Sequence, residues 1–397
     1  MSWIKIYYWI AFIILFYVFI GYGVVIYLLV FIKNLIKKNT VEAGLFFEPS
    51  VTLIIPCFNE ADILAIKIAN CKQLNYPLKK LKIIFITDGS TDKSEIILKS
   101  WPEIIVLHQN NRAGKTAAEN RAMKFVDTPF VIFSDANTLL NKEAVNNIVK
   151  HFANESVGCV SGEKRIFNNT ADSASAAGEG IYWKYESLLK RLDSQLNTAV
   201  GAAGELVAFR TDLYIDLPED TLLDDFMQSM LIAAAGYKIV YEPTAYAMET
   251  ASANVQEELK RKVRICAGGW QSIIRLQGKL TFKKQPLLFF QYISHRVLRW
   301  TITPFLLIAV FVLNIKMDLY TNGIYQVMMG GQILFYTIAI VGLLLKNRNL
   351  KNKKLFVPYY FCMMNYAVLA GLVKYLTGKQ NAIWDRAKRK AIVFEKV

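Results

Sequence analysis

The chain has 397 residues, 54% of them hydrophobic, and a formal net charge of +15. Its mean hydropathy of +0.27 and the gathering of its apolar residues into long blocks exclude a wholly soluble protein. No groove-reading module or basic helix accompanies the charge, which argues against a nucleic-acid partner and favours contact with anionic membrane lipid. The five cysteines lack CxxC or other metal-binding spacing and are typical of buried cysteines in a reducing compartment.

The N-terminal apolar block predicts a membrane anchor. It runs from Trp3 to Ile32 almost without polar residues, which is long enough to cross the hydrocarbon core of a bilayer as a helix. A cleaved signal peptide would have a shorter apolar core and a small-residue cleavage site, and neither is evident. We therefore expect residues 1–34 to anchor the chain in the membrane.

The mixed region that follows, residues 35–286, is long enough for one large α/β domain with its own core. Apolar runs, each followed by a turn and a predicted helix, recur in its first half as VTLIIPCFNE, KIIFITDGSTDKS, EIIVLHQNNRAGKTAAENRAM and FVIFSDANTLL. Strands alternating with helices predict a doubly wound, mostly parallel sheet with helices on both faces. In such sheets the ligand site lies beyond the carboxyl ends of the strands.

Charged and amide side chains are gathered at those predicted strand ends: Asp88, Arg112, Lys115, Asp135 and Asn137. Asp135 and Asn137 are two apart, so on an extended chain they point the same way and could hold a hard cation. Alone, the pair could equally cap the helix predicted near Asn141. Acids after two strands, with a basic loop between them, better suit a phosphate-bearing ligand held by a cation and by Lys and Arg.

Late apolar blocks predict interface and transmembrane helices within residues 287–377; they lie at about 297–315, 324–345 and 356–376. Lys33, Lys37 and Lys38 place the large domain in the cytoplasm by the positive-inside rule, as do the basic residues of 346–354 for their loop. Three late crossings would leave the basic tail, residues 378–397, outside. Either one block lies in the interface or re-enters, or the rule is broken; we expect a cytoplasmic tail.

A series of motifs now becomes recognisable, in the order PCFNE, TDGSTD, NNRAGKTAAEN, SDANT, GAAGELVAFR, LLDDFMQSMLIAAAGYKIVYEP and RKVRICAGGWQ. Together they resemble the membrane-bound inverting glycosyltransferases of family 2, the group that contains cellulose, chitin and hyaluronan synthases. The similarity covers residues 51 to about 271 and extends less specifically into the hydrophobic tail. It implies a nucleotide-sugar glycosyltransferase A-type fold.

The resemblance assigns a nucleotide-binding set. Asp88 matches the acid that contacts the base and ribose, and Arg112 and Lys115 match the loop beside the nucleotide. Glu60 of PCFNE belongs to the same set, as does Arg264, which matches the arginine that grips the diphosphate. A turn that caps the next helix is the alternative for Asp88, and a solvated basic loop is the alternative for Arg112 and Lys115.

The resemblance also implies a metal cofactor, because Asp135 and Asn137 match the Asp-x-Asp metal motif of the family. Mg²⁺ or Mn²⁺ would neutralise the departing diphosphate. The motif ends in Asn137 here, and its amide oxygen can ligate the ion but adds no charge.

The catalytic residues are expected at Asp225, which matches the general base, and at Asp224, where relatives usually have Glu. An inverting transfer needs one carboxylate to take the proton from the acceptor hydroxyl. Alternatively, the two acids could favour a helix N-terminus electrostatically. Gly204 and Glu205 match the loop under the acceptor, although a tight loop alone would explain the glycine.

Departures from the family pattern bear on the product. Thr87 replaces a second Asp of many relatives, and Arg261 and Ile265 replace the Gln and Trp of the Gln-x-x-Arg-Trp motif. Ile265 has no π face on which a sugar ring could stack, so we expect a short product of one or a few added sugars. Trp270 could substitute, although Trp is also common at membrane interfaces.

The leading hypothesis is therefore a metal-dependent enzyme of the plasma (inner) membrane, multi-pass, with cytoplasmic catalysis. It would transfer a sugar from a UDP-linked donor to a saccharide or lipid-linked acceptor in cell-surface polysaccharide or glycolipid synthesis. The alternative is a catalytically silent, membrane-bound nucleotide-sugar sensor or scaffold. Retention of Asp135, Asp225 and Arg264 argues against it, because a binder needs no general base. A transporter would need more spans and more intramembrane charge.

Overall fold

The computed structural model describes residues 2–36, 47–167, 174–250, 252, 254–318, 323–345 and 356–379. Lys37, Lys38, the basic residues of 346–354 and the C-terminal tail from residue 380 lie outside these ranges. The orientation expected from those charges therefore stays a prediction.

One mixed sheet forms the centre of the domain. Its strands are β1 (Val51–Cys57), β2 (Leu81–Asp88), β3 (Ile105–Gln109), β4 (Phe130–Phe133), β5 (Leu139–Leu140), β6 (Val157–Ile166), β7 (Val207–Arg210) and β8 (Lys238–Glu249). The strand order is β3-β2-β1-β4-β7-β6-β8-β5. β1 pairs in parallel with β2 and β4, β2 with β3, and β6 with β8, whereas β7 is antiparallel to β4 and β6, and β5 to β8. The predicted α/β class and parallel-dominated sheet are confirmed.

The strands are buried on both faces, which explains their continuous apolar sequences. In β1, Leu53 and Ile55 belong to the core on one side of the sheet, and Ile54 to the core on the other. All three side chains are fully buried. Burial on alternating sides leaves only the strand ends and the following loops available to a ligand.

The helices of the domain cover this sheet and connect its strands. They are α3 (Leu64–Lys72), α4 (Ser94–Lys99), α5 (Lys115–Met123), α6 (Ala144–Val149), α7 (Ala174–Leu196), α8 (Asp224–Ala234) and α9 (Val255–Arg275). The helix predicted near Asn141 begins only at Ala144, because the intervening Leu139–Leu140 pairs with β8 as strand β5.

Apolar helices flank the domain in sequence: α1 (Ser2–Phe16) and α2 (Tyr22–Ile36), joined by a π-helical turn, then α10 (Pro286–Tyr292), α11 (Leu298–Trp300), α12 (Thr303–Asp318), α13 (Ile324–Leu344) and α14 (Phe356–Leu376). Within the described ranges, three helices are long and apolar enough to cross a membrane: 3–36, α13 and α14. The segments Pro286–Trp300 and Thr303–Met317 meet at a bend of 60° and could form a fourth, broken span.

This bend divides the apolar block that the sequence placed at 297–315. Pro304 lies in the first turn of α12 and disfavours helical geometry at the residue before it. Thr301, where the preceding helix ends, has φ −117° and ψ −81°. A bent pair is the geometry of either a broken span or a re-entrant segment.

The apolar helices pack directly on the domain. A Cβ at Gly371 of α14 would lie 2.7 Å from Cβ of Cys266 in α9, so this glycine permits close helix contact. On the other side, Lys33 Nζ donates to the backbone oxygens of Gln195 and Leu196, each at 2.7 Å. Lys33 therefore caps the end of α7 and ties α2 to the domain.

A buried hydrogen-bonded network reinforces this junction. Asp193 of α7 accepts a hydrogen bond from Tyr22 Oη of α2 and another from Gln291 Nε2 at 3.0 Å. Its Oδ2 also lies 2.6 Å from Nδ1 of His295. Because every participant is buried, the network fixes the relative placement of α2, α7 and α10.

Candidate active site

The loop after β4 presents the two predicted metal ligands. Asp135 Oδ1 accepts a hydrogen bond from Lys115 Nζ at 3.1 Å. Asn137 Oδ1 is buried and has no hydrogen-bond partner in the part of the chain that the structure describes. The pair does not cap a helix, since α6 begins at Ala144 with Glu143 before it. The cap interpretation is therefore wrong.

Lys115, at the first position of α5, lies among three acids. Besides Asp135, its Nζ is 3.5 Å from Asp224 Oδ2 and 3.6 Å from Glu119 Oε1. Burial alone would lower the pKa of this ammonium, but the carboxylates of Asp135 and Asp224 hold it well above its ordinary value. Lys115 thus links the predicted metal-binding loop to the predicted catalytic acids.

Asp224 and Asp225 are the first two residues of helix α8, and their surroundings shift their pKa values in opposite directions. Burial and the neighbouring charge of Asp224 raise the pKa of Asp225 to about 7. Burial also acts on Asp224, but there the nearby Lys115 prevails and lowers the pKa. One acid is therefore ionised at neutral pH while the other can exchange a proton, which is the condition for general-base catalysis.

The loop before β7 approaches these acids closely at a glycine. A Cβ at Gly204 would lie 3.0 Å from Asp225 Oδ2 and 3.3 Å from Lys115 Nζ. Any larger residue would fill the space beside the predicted base. The next residue, Glu205, pairs with Lys164 Nζ at 2.9 Å. Burial opposes its charge, yet Lys164 and Arg261 lower the pKa of Glu205 to about 2.

The first residue of the predicted nucleotide-binding set, Asp88, is the last residue of β2. Asp88 is 1% exposed, and its carboxylate accepts hydrogen bonds from the backbone N–H groups of Ala113 and Gly114, the latter at 2.7 Å. It therefore holds the Arg112–Lys115 loop in place. The Arg112 guanidinium lies over the ring of Phe58 at 3.6 Å.

Glu60 and Arg264 belong to different elements of the fold, the turn after β1 and helix α9. Glu60 is 7% exposed, and its backbone N–H donates to Ser94 Oγ at 3.0 Å in the turn after β1. Arg264 lies on α9; burial lowers its pKa, and the charges of Asp224, Asp225 and Asp135 counteract that effect. The guanidinium is therefore close enough to all three acids to pair with an anionic ligand bound between them.

Glu119 is a site residue that the sequence analysis did not identify. It is 4% exposed, and burial together with the charge of Asp224 raises its pKa well above the ordinary value. A hydrogen bond shared by the two carboxyl groups contributes to raising the pKa of Glu119 and to lowering the pKa of Asp224. The sequence did contain a signal for it: Glu119 follows Lys115 by four residues, a spacing that places both side chains on the same face of a helix.

A divalent cation fits the loop after β4. Its protein ligands would be the carboxylate of Asp135 and the amide oxygen of Asn137, which otherwise has no described partner. No cluster of three or more His, Cys, Asp or Glu suited to a metal occurs among the described residues. Further ligands would come from a diphosphate and water, as is usual for Mg²⁺.

Comparison with known proteins agrees with this arrangement. Residues 52–217 match the family described as Glycosyl transferase family 2. The match includes the loops predicted to bind the nucleotide and the metal and ends before Asp224, Asp225 and Arg264.

Curated relatives and a solved structure extend the match. A poly-beta-1,6-N-acetyl-D-glucosamine synthase of Staphylococcus aureus (strain MSSA476) is 28% identical over 236 residues, which are 57% of this chain and 56% of the relative. The protein of the same name from Staphylococcus epidermidis is 25% identical over 237 residues. The chain thus spans about half the length of the curated relatives it matches. The mannosyltransferase PcManGT from Pyrobaculum calidifontis, solved in complex with GDP-Man and Mn²⁺, has a TM-score of 0.70 at 22% identity, covering 94% of this chain and 99% of that one.

The likeness to the mannosyltransferase shows the fold. Residues 52–217 match a glycosyl transferase family 2 domain, and the chain is similar over about half its length to polysaccharide synthases.

Proposed function

We propose that the protein is an inverting glycosyltransferase that transfers N-acetylglucosamine from UDP-N-acetylglucosamine to a hydroxyl of a saccharide or lipid-linked acceptor. The observation that carries this proposal is the pair of adjacent acids with separated pKa values, at the N-terminus of α8 beside Lys115. The choice of UDP-N-acetylglucosamine rests on the names of the curated relatives.

Asp225 acts as the general base. With a pKa of about 7 it is ionised in a large fraction of molecules near neutral pH and still basic enough to accept a proton. The acceptor hydroxyl gives its proton to the Asp225 carboxylate as its oxygen attacks the anomeric carbon. The bond between that carbon and the diphosphate oxygen breaks on the opposite side, so the configuration inverts and UDP leaves with the bonding electrons.

Cationic side chains stabilise the leaving diphosphate. Lys115 and Arg264 lie beside the acids and can both interact with phosphate oxygens. A divalent ion held by Asp135 and Asn137 would supply further positive charge to the leaving group. Asp224 remains ionised and, by pairing with Lys115, holds that ammonium between the acceptor side and the diphosphate side.

Gly204 keeps the loop before β7 close to Asp225 with no side chain between them, and we place the acceptor hydroxyl beside this carboxylate. A hydroxyl placed there lies within hydrogen-bond reach of the base, which is the first geometric requirement for proton transfer. Glu205, ionised and held by Lys164, is in position to accept a hydrogen bond from a neighbouring hydroxyl of the same sugar.

We place this chemistry at the cytoplasmic face of the plasma (inner) membrane, in cell-surface polysaccharide or glycolipid synthesis. Residues 1–34 would serve as anchor, 35–286 as the catalytic domain, 287–377 as interface and transmembrane helices, and 378–397 as a cytoplasmic tail. The exposed apolar side chains on α1, α2, α13 and α14 support contact with lipid.

The test is a donor panel. Purified protein in lipid nanodiscs is incubated with Mn²⁺ and radiolabelled UDP-N-acetylglucosamine, UDP-glucose or GDP-mannose, and products are separated by size and by solvent extraction. We expect labelled saccharide or lipid-linked product from UDP-N-acetylglucosamine and none from the Asp225→Asn variant. Turnover of GDP-mannose alone would overturn the donor assignment. Nucleotide binding without turnover of any donor would favour a silent sensor or scaffold.

A further inference from the structure

An indole on helix α7 is surrounded by lysines. Trp183 of α7 is half-buried. The ammonium groups of Lys164, Lys190 and Lys262 lie 5.1, 5.8 and 5.3 Å from the centre of its ring. These lysines come from β6, α7 and α9, so three separate elements converge on one aromatic side chain.

This cluster is continuous with the loop beside the base. Lys164 Nζ pairs with Glu205, and Gly204, the residue before it, is the one whose Cβ would reach Asp225. On α9, Lys262 lies one helical turn before Ile265. Trp183 therefore presents an aromatic ring beside the turn of α9 at which the chain carries isoleucine.

Two buried polar groups in the cluster lack partners among the described residues. Lys190 is 6% exposed; its ammonium approaches the rings of Trp183 and Tyr241, and no ion pair with a carboxylate is formed. Tyr241 is also 6% exposed, and its hydroxyl has no hydrogen-bond partner there. Buried polar groups in proteins are nearly always satisfied, so the Tyr241 hydroxyl points to a ligand that supplies the missing bond, and the Lys190 ammonium lies over the same ring.

The other two lysines provide an internal contrast. Lys164 pairs with Glu205 and Glu249, and Lys262 Nζ lies 3.4 Å from Glu258 Oε1. The protein itself supplies carboxylate partners for Lys164 and Lys262, whereas no ion pair is formed by Lys190 among the described residues. Burial lowers the pKa of Lys190, so a ligand that hydrogen-bonds to this group would add a partner that the protein does not supply.

We propose that Trp183, Lys190 and Tyr241 form an acceptor subsite that binds one sugar ring of a neutral saccharide chain. The indole provides a flat apolar surface for the C–H groups of the ring, and Lys190 and Tyr241 hydrogen-bond to its hydroxyls. This assignment rests on the proposed function and adds to it the class of acceptor.

The test measures saccharide binding directly. Full-length protein in nanodiscs, saturated with UDP and Mn²⁺, is titrated with a labelled β-1,6-linked N-acetylglucosamine tetramer by equilibrium dialysis. Trp183→Ala and Lys190→Met should each raise the Kd of the tetramer at least tenfold while the Kd of UDP changes less than twofold. Trp101→Ala is the matched control, because Trp101 also contacts a lysine, Lys72 at 4.8 Å, but lies outside the site. It should leave both values unchanged.

Conservative variants separate binding from folding. Trp183→Phe keeps an aromatic face on which the sugar ring can stack, so it should bind the tetramer within about threefold of the wild type. Unchanged tetramer affinity in Trp183→Ala and Lys190→Met would overturn the subsite, as would a wild-type protein that does not bind the tetramer at all. The donor panel can fail independently: tetramer binding that depends on Trp183, with no turnover of UDP-N-acetylglucosamine, would refute the donor and leave the subsite standing.

Discussion

Lys115 Nζ lies 3.1 Å from Oδ1 of Asp135, so an ammonium group shares the carboxylate that is proposed to bind a divalent cation. The same lysine reaches Asp224 at 3.5 Å and thereby connects the diphosphate side of the site to the acids of α8. Changes at either end of this contact should therefore affect both metal use and catalysis.

The first prediction concerns the metal. EDTA should abolish sugar transfer, and Mn²⁺ or Mg²⁺ should restore it, because the leaving diphosphate needs the charge of the ion. Asp135→Ala should show no rescue at ordinary metal concentrations and should weaken Mn²⁺ binding, measured by electron paramagnetic resonance, at least tenfold. Full activity in EDTA, together with an unaffected Asp135→Ala, would contradict the proposed metal site.

Glu119 offers a matched pair of variants. Since the pKa of the buried Glu119 carboxyl group is raised and this group shares a hydrogen bond with Asp224, Glu119→Gln keeps a donor of similar shape and should retain kcat within about threefold. Glu119→Ala leaves Asp224 without that donor and should lower kcat by about tenfold or more. Equal losses in the two variants would mean that the charge of Glu119, and not its proton, is what the site uses.

Stability should depend on pH through Asp225. Its folded pKa of about 7 exceeds the value of about 4 for a free Asp, so the folded state retains a proton that the unfolded chain releases. The resulting stability is complete below pH ~4 and is lost as the pH rises through about 7.

Asp225→Asn removes the ionisable carboxyl group and with it the loss of stability at high pH. The variant should exceed the wild type in free energy of unfolding by on the order of 2 kcal/mol at pH 8 and match it at pH 4, followed by thermal unfolding. Asp127→Asn, at an exposed ion pair with Lys82, is the control and should show no gain at pH 8. The same behaviour in both variants would show that burial of Asp225 is not the cause.

Product length tests the consequence of Ile265. Gel filtration of labelled product from purified protein should show addition of one or a few sugars, because α9 offers no aromatic face at that position. High-molecular-weight polymer from the purified protein would contradict the prediction. Its loss in Trp183→Ala, but not in Trp270→Ala, would assign the holding of the chain to α7.

The sequence predicted those features that depend on local pattern. Apolar runs ending in Asp88 and Asp135 predicted both the strands and the edge of the sheet at which polar groups meet. Pro304 was a local signal for the bend before α12, but the apolar sequence of residues 297–315 predicted one continuous block.

Features created by packing between distant segments could not be predicted in the same way. In the sequence alone, Trp183 is one more aromatic residue of an amphipathic helix. Only the packing of β6 against α7 places Lys164 beside its ring. Glu119 gains its raised pKa only because α8 places Asp224 beside it. No pattern within either helix encodes those contacts.

The assignment of Asp225 as the base is the central claim, and one comparison tests it most directly. Single-turnover transfer by Asp225→Asn and by the wild type is measured at pH 8, with UDP affinity measured in parallel. The account predicts a rate lower by on the order of 10²–10⁴ with UDP affinity within about twofold, and a wild-type rate that falls as the pH drops below about 7. Transfer by Asp225→Asn at the wild-type rate, to the same acceptor, would contradict it.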